Sequence, residues 1–402
     1  MKKLGLIPKI IIAIILGILI GSFTPVPVIR IFRTFSSIFG EFLGFLIPLI
    51  ILGFIVAGIA ELGHGAGKLL GITVGLAYLF TLVSGFSALF VGRTLLPSII
   101  TSSTHLEKAR KALDPFFEVK IPPMMDVMTA LIFAFILGLG IAKIQNKTLK
   151  DVAIGFQEII TKTIENVVIP LLPLHILGIF ANLAYTGEVS TVLKVFWKVF
   201  IIILALHWIM LILQFSVGGS IAGKNPFKSL KIQLKGYLTA LGTQSSAATI
   251  PVNVQCSEQI GVTKGIRDFV IPLCATVHLS GSTITLTICA LAVMMLNGMP
   301  ISIPQMAGFI AMLGITMVAA PGVPGGAVMA ALGILKSILG FNEALLGLMI
   351  ALYIAQDSFG TACNVSGDQA VAMIVDAIQK KLNKKNSKQV EANNTVQPNH
   401  EG

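Results

Sequence analysis

The chain alternates long apolar runs with short polar interruptions. Runs able to enter or cross a membrane fall at about 8–24, 36–62, 67–94, 123–145, 153–184, 190–221, 268–297 and 344–378. A helix needs about 20 apolar residues to cross the hydrocarbon core, and several of these runs are longer. Two further segments, about 226–256 and 301–338, are only partly apolar. Residues 242–251 (GTQSSAATIP) break the first and residues 320–327 (APGVPGGA) break the second. Unpaired backbone in lipid costs several kcal/mol per group, so such breaks persist where they line a cavity or are buried in protein. A pair of broken apolar segments points to a transporter binding site. The alternative reading is a loop between two ordinary short helices.

Composition supports the membrane reading. Of 402 residues, 55% are hydrophobic and only 12% are charged. A soluble domain carries about 25% charged residues. The pattern excludes an ordinary cytosolic enzyme and a disordered chain. The net charge of +11 does not indicate a nucleic-acid partner, because the lysines sit in loops and tails. Lys2, Lys3 and Lys9 lie at the start, and Lys143, Lys147 and Lys150 between two runs. Lys224, Lys228, Lys231 and Lys235 precede the first break, and Lys380, Lys381, Lys384, Lys385 and Lys388 follow the last run. Placing all four groups inside puts both termini in the cytoplasm with eight spans. The broken segments then dip into the membrane from opposite sides. Arg30 and Arg33 fall on the outer side and depart from the rule.

Other stretches carry less. The run from Ile10 to Phe23 reads as a retained first helix, since no small-residue cleavage site follows it. Residues 95–122 read as a long extracellular tether, and about 383–402 as a disordered polar tail. Cys256, Cys274, Cys289 and Cys363 lack metal or disulfide spacing and read as small buried residues. No HExxH, GxSxG or cofactor fingerprint is present, which argues against an enzyme. A passive channel is disfavoured by closed, charge-poor hairpins around one buried site.

The last run carries the sharpest pattern. Asp357, Thr361, Asn364 and Asp368 fall at i, i+4, i+7 and i+11 and so share one helix face. Each acid at membrane depth costs on the order of 2.5–3.5 kcal/mol on lenient scales. With no basic residue nearby in sequence, a bound Na⁺, a proton or a ligand ammonium would have to compensate them. The alternative is two protonated structural groups. Between the breaks runs Leu273 to Ser282, rich in hydroxyls and glycine. His278 there reads as a neutral hydrogen-bonded core residue, with a titrating role as the other reading. His175 and His207 read as structural.

On these residues the chain resembles the dicarboxylate/amino acid:cation symporter family, the glutamate transporter homologues. Ser245-Ser246 before Pro251 resembles the tip of the family's first hairpin. Gly322-Val323-Pro324-Gly325 resembles the tip of its second. Asn364-Val365-Ser366-Gly367-Asp368 resembles the signature of its last helix. The resemblance covers nearly the whole chain. It implies an all-α polytopic membrane protein with eight transmembrane helices, two re-entrant helical hairpins and an inverted-repeat elevator transporter fold. Residues 1–94 would hold scaffold helices one and two and transport helix three. Residues 95–222 would hold the tether, scaffold helices four and five and helix six. Residues 223–380 would form the transport core, and 381–402 a disordered cytoplasmic tail. A homotrimer in the plasma membrane is implied.

The resemblance also implies roles. Ser245 and Ser246 would hold the substrate α-carboxylate. Val323 and Gly325 would contact it through the backbone. Asp357 would bind its ammonium, with Thr361 and Asn364 completing the site. Asp368 and Asn364, with carbonyls of Cys274 and His278, would form one sodium site. Carbonyls of Thr276, Met317, Val318 and Ala320 would form a second. Departures from the family refine the substrate. Acidic-substrate members carry an arginine on the last helix where this chain has Gly360. The arginine that some relatives carry in the first hairpin is Gln244 here. A buried unpaired carboxylate would be prohibitive, so aspartate, glutamate and succinate are disfavoured. Asp357 remains and calls for an amine, so a neutral amino acid is expected. The family's acidic cation ligand in helix seven is Ser280 here. Of the partner hydroxyl positions in helix three, Val83 and Ser84, only one is kept. A third sodium site is therefore doubtful, and His278 could add a proton.

Overall fold

The computed structural model describes residues 6–62, 67–100, 112–187, 189–318, 320 and 324–394. Among these the chain is all-helical. The elements are α1 (Leu6–Phe23), α2 (Val26–Leu62), α3 (Gly67–Ile99), α4 (Val127–Ile144) and α5 (Lys147–Thr163). After a π-helical turn at Ile164–Val168 come α6 (Ile169–Thr186) and α7 (Val189–Ala222). The second half comprises α8 (Pro226–Thr243), α9 (Ser246–Ile260), α10 (Lys264–Val277) and α11 (Ser280–Leu296). It ends with α12 (Ile303–Met317), α13 (Gly326–Ser337), α14 (Glu343–Ile354) and α15 (Asp357–Asn394).

Among the described residues, the stretches long and apolar enough to cross a membrane are Val26–Ala60, Leu69–Ile99, Lys147–Thr186, Val189–Ala222 and Lys264–Leu296. The pair α14–α15 passes together but is bent by 62°. Apolar stretches of α1, α4, α12 and α13 are shorter. Large side chains such as Phe90, Ile136, Leu139 and Trp197 point outward. In hydrocarbon these residues need no burial, because lipid is as apolar as they are.

Local chemistry sets the boundaries. α2 begins ten residues before the expected run at 36. The reason lies at its charged end. Arg30 donates to the carbonyls of Asp114 and Pro115 at 3.1 and 3.2 Å, and Arg33 to that of Leu113 at 3.4 Å. The Arg30 guanidinium also lies 4.3 Å from the centre of the Phe116 ring. The segment after α3 is thereby strapped to the start of α2. α3 runs through Pro97 to Ile99, shortening the expected loop, of which residues 101–111 lie outside the described residues. α15 continues to Asn394 where a disordered tail was expected from about 383. Extending an existing helix is cheap for a stretch rich in Lys, Gln, Ala and Glu.

Two packing groups emerge. α1, α2, α4, α5 and α6 pack on one another, and α3 and α7 to α11 pack around α15. They meet where α13 and α14 lie against α2, α4 and α6. The meeting surface is tight: a Cβ on Gly347 would stand 2.2 Å from Ile179 and 2.8 Å from His175. His175 is buried there against Phe39, ring centres 4.9 Å apart, as a structural residue would be.

Candidate functional site

Four helix interruptions converge in the second group. The first joins α8 to α9, which pack together as a hairpin. Gln244 turns left-handed at φ 55°, and Ser245 caps α9 by accepting from the Ala248 N–H at 3.2 Å. The Thr249 hydroxyl donates to the Ser245 carbonyl at 2.8 Å, closing the tip. At the base of this hairpin Lys224 donates to the carbonyls of Ile260 and Gly261 at 2.8 and 3.1 Å. A cation at a helix C-terminus is well placed against the macrodipole.

The second interruption lies between α12 and α13. Residues 319 and 321–323 fall outside the described residues, so the expected contact of Val323 lies there too. Gly325 is the N-cap of α13 at φ 75°, a conformation that favours glycine. The third is the pair His278–Leu279 between α10 and α11, and the fourth is the bend between α14 and α15. Asp357 opens α15, so its carboxylate sits at a helix N-terminus.

A small cavity lies among these ends. It is lined by Gln244, Ser246, Ser282, Tyr353, Asp357, Thr361 and Asn364, with Ala275, Leu279, Ala320 and Ala327. None of these is basic. Its free volume of about 20 Å³ is room for about one water. The Gly325 N–H donates to Asp357 Oδ2 at 2.6 Å, tying the second hairpin to α15. Tyr353 and Thr361 flank the same carboxylate. Asn364 Oδ1 accepts from the Gly281 and Ser282 N–H groups at 2.7 and 3.2 Å, and its amide donates to Ser282 Oγ at 2.9 Å. Of the residues expected at the substrate, Ser246, Asp357, Thr361 and Asn364 line the cavity. Gly325 reaches it through Asp357. Ser245 is turned toward capping. Gly360 lies one layer behind, where a Cβ would meet the Ser282 backbone N at an ordinary 3.6 Å.

Asp368 sits three turns further along α15, fully buried. His278 Nδ1 lies 3.0 Å from Asp368 Oδ1, while Oδ2 has no hydrogen-bond partner among the described residues. The Gln214 amide nitrogen stands 3.4 Å from His278 Nε2 and 3.3 Å from Ser280 Oγ. A Cβ on Gly367 would come within 2.4 Å of Gln214 Oε1 and 2.5 Å of His278 Cε1, so glycine alone allows this approach. Cys274 and Thr276 lie in the last turn of α10, and Met317 and Val318 at the end of α12. The Ala320 N–H donates to the Met317 carbonyl at 3.2 Å. Ser84 of α3 is buried with its hydroxyl unpartnered among the described residues.

Three residues were not expected from the sequence. Gln214 is one and Tyr353 another. The third is His207, read as structural with no polar partner. Its Nε2 lies 3.0 Å from the Gly281 carbonyl and 3.2 Å from Thr285 Oγ1. It therefore holds one side of the peptide group whose neighbouring N–H is held by Asn364. A buried polar seam runs beside them. Gln233 donates to Asn253 at 2.6 Å, Asn253 to the Val365 carbonyl at 2.7 Å, and Gln369 to the Asn253 carbonyl at 2.8 Å. It fixes the first hairpin to α15.

A profile of the sodium:dicarboxylate symporter family matches residues 6–378. The chain is similar to proteins named serine/threonine transporter SstT. One from Acinetobacter baumannii (strain AYE) is 28% identical over 402 residues, covering 93% of this chain and 97% of the relative. Another from Streptococcus suis (strain 05ZYH33) is 26% identical over 347 residues, covering 82% and 94%. A third from Enterococcus faecalis (strain ATCC 700802 / V583) is 26% identical over 405 residues, covering 95% and 94%.

Proposed function

Because the chain belongs to the sodium:dicarboxylate symporter family, and is a transporter and not an enzyme, we propose that it couples Na⁺ to uptake of a neutral amino acid. One observation carries the choice of substrate. The cavity between the two hairpins is lined by an acid, Asp357, and by no basic side chain among the described residues. A second carboxylate, on the substrate side chain, would find no basic partner there, whereas the ammonium would find Asp357. Gly360 leaves the α15 wall without a cation. The names of the relatives, serine/threonine transporters, support a small neutral substrate.

In this reading Ser246 and the N-terminus of α9 receive the substrate carboxylate, and Asp357 receives the ammonium. Thr361 and Asn364 complete the wall. Ser245 orders the tip, and the backbone of Val323 and Gly325 closes over the ligand. The free volume of one water means that the second hairpin has to move before an amino acid enters.

The coupling Na⁺ is cargo as well as ligand. A buried Asp368 oxygen without a partner among the described residues fits an oxygen-seeking cation, and the carbonyls of Cys274 and His278 would complete its ligands. Asn364 contributes through its main-chain carbonyl, since its amide oxygen already accepts two N–H groups. Carbonyls of Thr276, Met317, Val318 and Ala320 would form a second site, closed by the hairpin. A third cation site is not expected: Ser280 stands where the family's acidic ligand would, and the Gln214 amide lies beside it and the His278 ring.

The two packing groups support a scaffold and a moving body. The scaffold of α1, α2, α4, α5 and α6 would be trimeric in the plasma membrane with both termini inside, eight spans in all. α8–α9 and α12–α13 would be re-entrant hairpins. The moving group would carry the site across as an elevator. Proteoliposomes with an inward Na⁺ gradient should accumulate labelled serine or alanine, and should not do so in choline. Accumulation of aspartate or succinate in preference to both would overturn the choice of substrate.

A further inference from the structure

We propose that Tyr353 is a specificity-determining residue and that, paired with Ser282, it selects a hydroxyl on the substrate side chain. The inference rests on the neutral amino acid reading and narrows it.

Tyr353 ends α14 just before the bend, fully buried, and lines the cavity with Ser282. Its hydroxyl is shared between Ser282 Oγ, at 2.8 Å, and the Asp357 carboxylate. The Asn364 amide donates to the same oxygen at 2.9 Å. A serine hydroxyl has two lone pairs and one proton. Both lone pairs are therefore occupied and the proton is still to be placed. Neighbouring hydroxyls turn back to their own helix: Thr283 donates to the Leu279 carbonyl at 2.9 Å and Thr285 to that of Gly281 at 3.2 Å. Ser282 makes no such bond among the described residues. Its proton is available to the cavity.

The tyrosine supplies the complement. Once an ammonium occupies Asp357, the Tyr353 proton has Ser282 as its acceptor. The phenolic oxygen then keeps lone pairs with which to accept. The pair thus offers one donor, Ser282 Oγ–H, and one acceptor, Tyr353 Oη. A hydroxyl needs one of each. A methyl uses neither and leaves both buried groups unsatisfied, while a carboxylate needs donors only. Sites built to bond a substrate hydroxyl discriminate against the analogue lacking it for this reason. The bulk of Tyr353 also limits the side chain to a small one.

The test uses purified full-length protein in Na⁺, with L-serine and L-alanine as probes and ligand-dependent thermal stabilisation as readout. The wild type should bind serine more tightly than alanine. In Tyr353→Phe that ratio should fall about three- to tenfold. Ser282→Ala should narrow the ratio in the same direction, and the double variant should add little. Each ratio is internal to one variant, so a loss of folding stability does not mimic it. Equal loss of serine and alanine affinity in Tyr353→Phe would show a merely structural tyrosine. Equal binding of serine and alanine by the wild type would sink this inference and leave the neutral amino acid reading intact. Response to aspartate but to neither probe would sink both.

Discussion

The main-chain N–H of Gly325 and the carboxylate of Asp357 are joined at 2.6 Å. One oxygen of the acid is thus held by the second hairpin, and Tyr353 and Thr361 flank the carboxylate where it lines the cavity. Substrate and hairpin meet on the same carboxylate. Asp357→Asn keeps the shape and removes the charge. Breaking a buried charged pair costs on the order of 2–5 kcal/mol. Serine affinity, read by thermal stabilisation or isotherm, should fall by at least about thirtyfold, with the fold intact.

Asp368 sits at the other end of the polar face. Asp368→Asn should weaken the Na⁺ dependence. Stabilisation by NaCl over choline chloride should shrink while serine binding at saturating Na⁺ is largely kept. Unchanged Na⁺ stabilisation would place the cation elsewhere.

Gly360 has room for a Cβ at 3.6 Å from the Ser282 backbone. A longer side chain that turns toward the cavity would fill its free volume of about 20 Å³. Gly360→Arg should abolish serine binding and bring in aspartate, read by competition in the same uptake assay. Retained serine transport would mean that the arginine points away.

His207 grips the Gly281 carbonyl at 3.0 Å, opposite Asn364. His207→Leu should raise the serine KM about three- to tenfold, the worth of one buried hydrogen bond. Maximal uptake should change less. His207→Gln, which can still donate, should recover most of the affinity.

Much of this site could be read in the chain. Asp357, Thr361, Asn364 and Asp368 declare themselves because helical spacing puts polar groups on one face of an apolar helix. The broken tips around Ser245 and Gly325 stand out because glycine, proline and serine are costly in lipid. His207, Gln214 and Tyr353 were hidden for the opposite reason. His207 and Gln214 sit seven residues apart on apolar α7 and Tyr353 near the end of apolar α14, and their partners around His278, Ser280, Gly281 and Ser282 lie far away in sequence. Periodicity shows which face a side chain occupies, but not which helix meets it. The early start of α2 was hidden in the same way, since Arg30 and Arg33 find their acceptors beyond α3.

Asp357 and Asp368 lie on one unbroken stretch of α15. Eleven residues of helix set them about 16 Å apart along the axis. The helix behaves as a strut. In the proposed reading, the amino acid at Asp357 and the second cation meet at one part that can move, the hairpin anchored at Gly325. The free energy linking cation to amino acid then resides in how that hairpin seats. Variants at its tip should alter the stoichiometric tightness of the cycle, measured as cation leak per substrate carried, before they alter either affinity alone.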